Sequence, residues 1–171
     1  MIARPQTQLA LRPMLPTDVP LLAEIFRASI EELSADDYSE AQREAWASAA
    51  DDAEEFGAKL AGELTLVATH AGSAVGFASL ADNTKIDMLY VHPAAAGQGA
   101  AAMLCDAIEK LAVSRGAKEL TVDASDTARG FFERRGFVPK TRNTISLAGE
   151  WLANTTLVKL FAAPVGKESL Q

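Results

Sequence analysis

A chain of 171 residues suits one globular domain, and 49% apolar content is ample for a core. A formal charge of −7 argues against nonspecific adhesion to phosphate backbones or anionic lipid, so neither nucleic acid nor a membrane is an expected partner. The one cysteine, Cys105, excludes an internal disulfide, and no apolar run has the length of a membrane span, so a soluble cytoplasmic protein is the expectation.

Leu9, Leu11 and Met14 predict a short first strand, and Pro16-Thr17-Asp18 breaks it and offers a capping side chain. A helix is expected from about Val19 to Leu33, its buried stripe being Leu22, Ile25, Phe26, Ser29 and Ile30. Residues 39–50 and 52–60, rich in Ala and Glu and free of β-branched side chains, read as one or two further helices. Strands then follow over Leu64 to His70, Ala74 to Leu80 and Ile86 to Val91, joined by tight turns into an antiparallel meander. A helix carrying Met103, Leu104, Ala107, Ile108 and Leu111 stops at Gly116, and a strand over Glu119 to Asp123 makes the unit a parallel crossover. A short helix near Thr127 to Arg135 precedes two last strands, Phe137 to Leu147 and Asn154 to Phe161, which pair through Ala148-Gly149-Glu150. The tail from about Pro164 reads as unstructured.

Chemistry concentrates where a strand empties through Pro93 into Ala94-Ala95-Ala96-Gly97-Gln98-Gly99-Ala100-Ala101 and a helix opens. The first turn of a helix has unpaired N–H groups and partial positive charge, and small residues let a pyrophosphate come close. Gly97 to Ala102 also satisfies the dinucleotide pattern Gly-x-Gly-x-x-Ala, with Asp123 near the place of a ribose-binding acid. Against a dinucleotide stand the intervening Pro93 and alanines, the antiparallel meander upstream, and too short a remainder for a doubly wound sheet.

From Leu9 to about Phe161 the chain resembles the GNAT acetyltransferase family. That family's central motif, Gln/Arg-x-x-Gly-x-Gly/Ala after Val-x-Pro, is matched by Val91-His92-Pro93 and then by Gly99 and Ala101. Ala96 stands where a basic or amide side chain is usual. A second family signature, Ala-x-x-Phe-Tyr-Glu-x-x-Gly-Phe, is matched by Ala128-Arg129-Gly130-Phe131-Phe132-Glu133-Arg134-Arg135-Gly136-Phe137. The resemblance implies a single α/β domain, core about 9–161, with the GNAT-like acyl-CoA N-acyltransferase fold: a mixed, mostly antiparallel sheet flanked by helices. It implies acetyl-CoA as cosubstrate and transfer of acetyl to a primary amine of a small molecule or peptide by direct attack. The alternative is a non-catalytic acyl-CoA sensor or interaction module. Homodimers are common among relatives.

Carried over to these positions, the cofactor contacts are the strand backbone at Leu89, Tyr90 and Val91, the loop Ala96, Gly97, Gln98, Gly99, Ala100 and Ala101, and Ser125, Phe131 and Phe132. The two parallel strands should splay apart to admit the pantetheine arm, with the Leu89 N–H facing the developing oxyanion. Phe132 occupies the place where many relatives have a proton-donating tyrosine. Asp87, read as sharing a face with Leu89 and Val91, is the candidate base, against a bland ion pair with Lys85. Ser125 and Asp126 also suit capping of the short helix.

Tyr38, Gln42 and Trp46 resemble a Tyr-x-x-x-Gln-x-x-x-Trp-Ala pattern of one GNAT-like group, and their fourfold spacing would align them on one helix face as acceptor-binding residues. Packing on the sheet is the competing role for Trp46. His70 and His92 lack partners at ligand spacing, so no metal is expected. Cys105 reads as a small core side chain, and Trp151 and Asn154 as packing and turn residues.

Overall fold

The computed structural model describes residues 8–162, and the expected tail from about Pro164 lies outside them. The strands are β1 (Leu9–Pro13), β2 (Leu64–His70), β3 (Ser73–Ala81), β4 (Lys85–Val91), β5 (Glu119–Ser125), β6 (Val138–Leu147) and β7 (Glu150–Leu160). They form one seven-stranded sheet in the order β1-β2-β3-β4-β5-β7-β6, in which only β4 and β5 are parallel. The mixed, mostly antiparallel sheet expected from the sequence is the one observed. Two-residue turns, Ala71-Gly72 and Ala148-Gly149, close two hairpins, and a three-residue loop, Asp82-Asn83-Thr84, closes a third; all but Thr84 have positive φ, the conformation that matches strand twist.

The helices are α1 (Val19–Leu33), α2 (Glu40–Ala47), α3 (Ala53–Gly62), α4 (Ala100–Ser114) and α5 (Arg129–Arg134). On one face of the sheet, Leu104, Cys105, Ile108 and Ala112 of α4 pack with Leu80, Leu120, Val122 and Phe137. On the other, Leu22, Ile25, Phe26 and Ile30 of α1 join Phe56 and Leu60 of α3 against Val67, Phe77 and Met88. Each buried Leu, Ile, Val, Phe or Met among them stabilises by about 1.5–3 kcal/mol. Asp18, expected as a helix cap, makes no side-chain cap; its carboxylate binds the Arg12 guanidinium and the Leu15 N–H.

Two irregularities in β4 position everything that follows. Its pairing with β5 covers only Lys85↔Thr121 and Ile86↔Val122, so the strands part beyond Ile86, as anticipated. Towards β3, Ser79 faces Met88 but Leu80 faces Ile86, which leaves Asp87 bulged out with no partner. The bulge resets the alternation: Ile86, Leu89 and Val91 turn to the α4 side, whereas Met88 and Tyr90 turn to the α1 side.

Candidate active site

Where β4 and β5 part, a cleft of about 250 Å³ passes between the two faces of the sheet. Leu89, Val91, Val122 and Ala124 line its strands, Ala101, Phe131 and Phe132 its α4 side, and Ser29 and Trp46 its far side. A slot bordered by unpaired strand backbone accepts a ligand that hydrogen-bonds as a strand would.

At the α4 end, a turn over Pro93–Ala95 is set by the His92 Nδ1, which accepts the Ala94 N–H at 3.1 Å. Gly97 and Gly99 then adopt φ of 79° and 93°, in the left-handed region. Gly99 is the N-cap of α4 and no side chain caps that helix, so its first-turn amides are left to an outside anion. Ala96, Gly97, Gln98 and Gly99 are exposed, and Ala100 and Ala101 open the helix beneath them. The conformation of this loop follows from local glycine chemistry.

Asp87 requires a correction. The bulge removes it from the face of Leu89 and Val91, and its carboxylate lies 3.2 Å from Lys59 of α3, not beside Lys85. Lys85 instead pairs with Asp123 at 2.8 Å. Asp87 still borders the cleft and stands next to Glu63 and Ser79. Glu63 Oε1, Ser79 Oγ and Asp87 Oδ2 are buried without hydrogen-bond partners among the described residues. Burial first, and the Asp87 charge second, push the Glu63 carboxyl above its ordinary range. Nothing local in the sequence marked Glu63 or Lys59; α3 had to pack on β3 and β4 to bring them to Ser79 and Asp87.

The three residues expected on one helix face have different places. Tyr38 precedes the N-cap Ser39 and is not on α2. Its buried hydroxyl donates to the Ala153 carbonyl at 2.7 Å and accepts the Asp126 N–H at 2.9 Å. Gln42 forms a capping box, its Oε1 accepting the Ser39 N–H, and its Nε2 donates to the Trp151 carbonyl at 2.7 Å. It is therefore a tie to β7, outside the lining of the cleft. Trp46 does border the cleft, edge-on to Tyr38 at 5.5 Å and to Tyr90 at 6.3 Å.

Tyr90 points away from Leu89, as expected, and its ring packs on Phe26 and Phe77 at 4.7 and 5.8 Å; burial drives its hydroxyl far above the ordinary tyrosine range. Phe132 is buried between Phe131 and Phe137, 2% exposed, with only its ring edging the cleft. Ser125 borders the cleft while its Oγ accepts the Ala128 N–H, closing the turn before α5; the helix itself has Ala128 as N-cap and no side-chain cap, so the expected capping by Ser125 is not made. Asp126 caps nothing; its carboxylate holds Arg142, which lowers the carboxyl below its usual range. The Cys105 thiol is pushed up to about 12 by burial first and Glu109 second, so it stays protonated. Trp151, expected to pack, is 65% exposed, and Asn154 accepts from the Asn143 amide. Among the described residues no group of three or more His, Cys, Asp or Glu could hold a metal ion.

Residues 34–152 match the family model described as an acetyltransferase (GNAT) domain. The chain is 35% identical over 139 residues to the uncharacterized N-acetyltransferase YafP of Escherichia coli (strain K12), an overlap of 81% of this chain and 87% of that one. A crystal structure from Rhodopseudomonas palustris, named as a GCN5-related N-acetyltransferase and as an aminotransferase of class II, superposes with a TM-score of 0.88 at 61% identity, over 89% of this chain and 95% of that one. The PaiA N-acetyltransferase of Thermoplasma acidophilum, solved with coenzyme A, shares the fold at a TM-score of 0.74 and 19% identity, over 90% of this chain and 99% of that one.

Proposed function

As the chain belongs to the GNAT acetyltransferase family, we propose that it transfers the acetyl group of acetyl-CoA to a primary amine by direct nucleophilic attack, without a covalent enzyme intermediate. The observation that carries this reading is the cleft between β4 and β5, which joins the uncapped N-terminus of α4 to the opposite face of the sheet.

In this reading the pyrophosphate rests on the amides of Gly97 to Ala101, and the pantetheine arm runs along Leu89, Tyr90 and Val91, with Ser125, Phe131 and Phe132 beside it. The amine attacks the thioester carbonyl, whose oxygen gains the electron pair and is met by the Leu89 N–H. The C–S bond then breaks and the thiolate leaves. The proton released by the amine passes through water towards Asp87, whose neighbour Glu63 shares the load. Phe132 has no hydroxyl to protonate the thiolate, so CoA departs as the thiolate or takes a proton from solvent.

An acyl-CoA sensor would have its acceptor side plugged by apolar side chains. The open cleft beside Trp46 and the ionisable Asp87 favour turnover. No helix among the described residues is long and apolar enough to cross a membrane, and a cytoplasmic site of action is part of the proposal.

The test begins with melting curves of the protein alone and with acetyl-CoA, CoA or NADH. Ligand at about 100 times its Kd adds about 2.7 kcal/mol, several degrees for a domain of this size. Stabilisation by the CoA ligands alone, followed by amine-dependent thiol release that falls about 100-fold in Asp87→Asn, supports the reading. A shift with NADH only, or none with saturating CoA, overturns it.

A further inference from the structure

Beside the cleft lies a second chamber of about 90 Å³, between the turn before α2 and the β6–β7 hairpin. Trp46, Tyr90, Asp123 and Ser125 border both spaces, so the chamber adjoins the parted strands. Aromatic rings from Tyr38, Trp46 and Tyr90 face apolar side chains from the hairpin, chiefly Ile145 and Leu152.

Among the described residues, the charged side chains that border this site are acids, Asp123 at the chamber and Asp123 and Asp87 at the cleft, and no lysine or arginine lines either space. The nearby cations are already paired, Lys85 with Asp123, Lys59 with Asp87 and Arg142 with Asp126. Burial pushes the Asp123 carboxyl up, but hydrogen bonds from Lys85 and Thr156 together outweigh it and hold the group below its usual range, so it keeps its charge. An incoming carboxylate would meet Asp123 and could win a cation only by stripping it from an acid. An ammonium group would meet that same acid and three ring faces.

We propose that the acceptor is a primary amine on a short apolar alkyl or aryl stem carrying no carboxylate, and that this chamber rejects α-amino acids. The inference rests on the acetyl-transfer reading above and specifies its substrate class. The selective element is that Asp123 holds Lys85, the cation an incoming carboxylate would need, and attraction by the rings does the rest.

The experiment compares pairs that differ only by the carboxylate: isopentylamine against leucine, and phenethylamine against phenylalanine. CoA release from acetyl-CoA is followed, with a CoA melting shift measured in parallel. The expected result is at least a tenfold higher kcat/KM for each amine than for its amino acid. In Asp123→Asn, the gap should narrow at least threefold while the CoA shift is retained. Equal turnover of both members, or preference for the amino acids, overturns the substrate class and leaves acetyl transfer standing. So does a CoA shift with neither turnover of any member nor further stabilisation by the amines. Absence of the CoA shift in the unmodified protein defeats the acetyl-transfer reading itself. If Asp123→Asn does not fold, the paired comparison in the unmodified protein decides alone.

Discussion

Tyr38 donates its hydroxyl proton to the carbonyl of Ala153, 115 residues further along the chain, at 2.7 Å. The same oxygen accepts the Asp126 N–H, so one side chain fastens the turn before α2, the end of β5 and the strand β7 around the second chamber. Tyr38→Phe leaves both backbone groups without that partner. The expected cost is about 1–2 kcal/mol, read as a fall of about 2–8 °C in Tm. An unchanged Tm would mean that water replaces the hydroxyl without loss.

Gly99 has φ of 93° at the N-cap of α4, a conformation that costs an L-residue roughly 1–2 kcal/mol. Gly99→Ala has open space for its Cβ, so backbone strain alone acts. The helix-opening amides should rotate off their ligand. The melting shift with CoA is expected to drop by more than half while the far-UV circular dichroism stays the same. Full retention of the shift would remove the loop from the cofactor site.

Ala96 is exposed at the place where the family carries a basic or amide side chain. Ala96→Arg adds a guanidinium within reach of a phosphate on the loop. In a solvent-exposed setting this is worth about 1 kcal/mol, or roughly fivefold tighter CoA binding by calorimetry, and the gain should shrink as salt is raised. Unaltered affinity would place the pyrophosphate elsewhere.

The raised carboxyl of Glu63 makes a signed pH prediction. A carboxyl that holds its proton more tightly in the folded state contributes stability that is fully present below the unfolded pKa, near 4.5, and is lost as pH rises through the folded value. Glu63→Gln removes that loss. Its urea midpoint should exceed that of the unmodified protein at pH 8, and the two should converge near pH 4. Asp18, Asp123 and Asp126 shift the opposite way, so their contribution is present above about 3.8 and disappears as pH falls through their lowered values. A Glu63→Gln curve parallel to that of the unmodified protein would show that the acid is ordinarily ionised.

Some of the molecule was decided by residues close together in sequence. The spans of α1 and β2, the I′ turns at Ala71-Gly72 and Ala148-Gly149, and the Gly97–Ala101 loop follow from periodicity and glycine chemistry within a few residues. The crossover from β4 through α4 to β5, and with it the place of the cleft, was legible for the same reason. The resemblance to GNAT signatures at Ala96 to Ala101 and Ala128 to Phe137 then indicated what such a cleft holds.

Tertiary structure decided which side chains surround it. A strict period of two put Asp87 with Leu89, but one bulged residue reversed that, since strand pairing and not sequence fixes register. The partners of Asp87 and Asp123, Lys59 and Lys85, come from different elements, as do the backbone groups that engage Tyr38 and Gln42. A fourfold spacing placed Tyr38, Gln42 and Trp46 on one helix only if the helix began early enough, and Ser39 capped it after Tyr38. Local propensity thus set the elements and the glycine loop, whereas the acid pair and the second chamber arose where separate elements met.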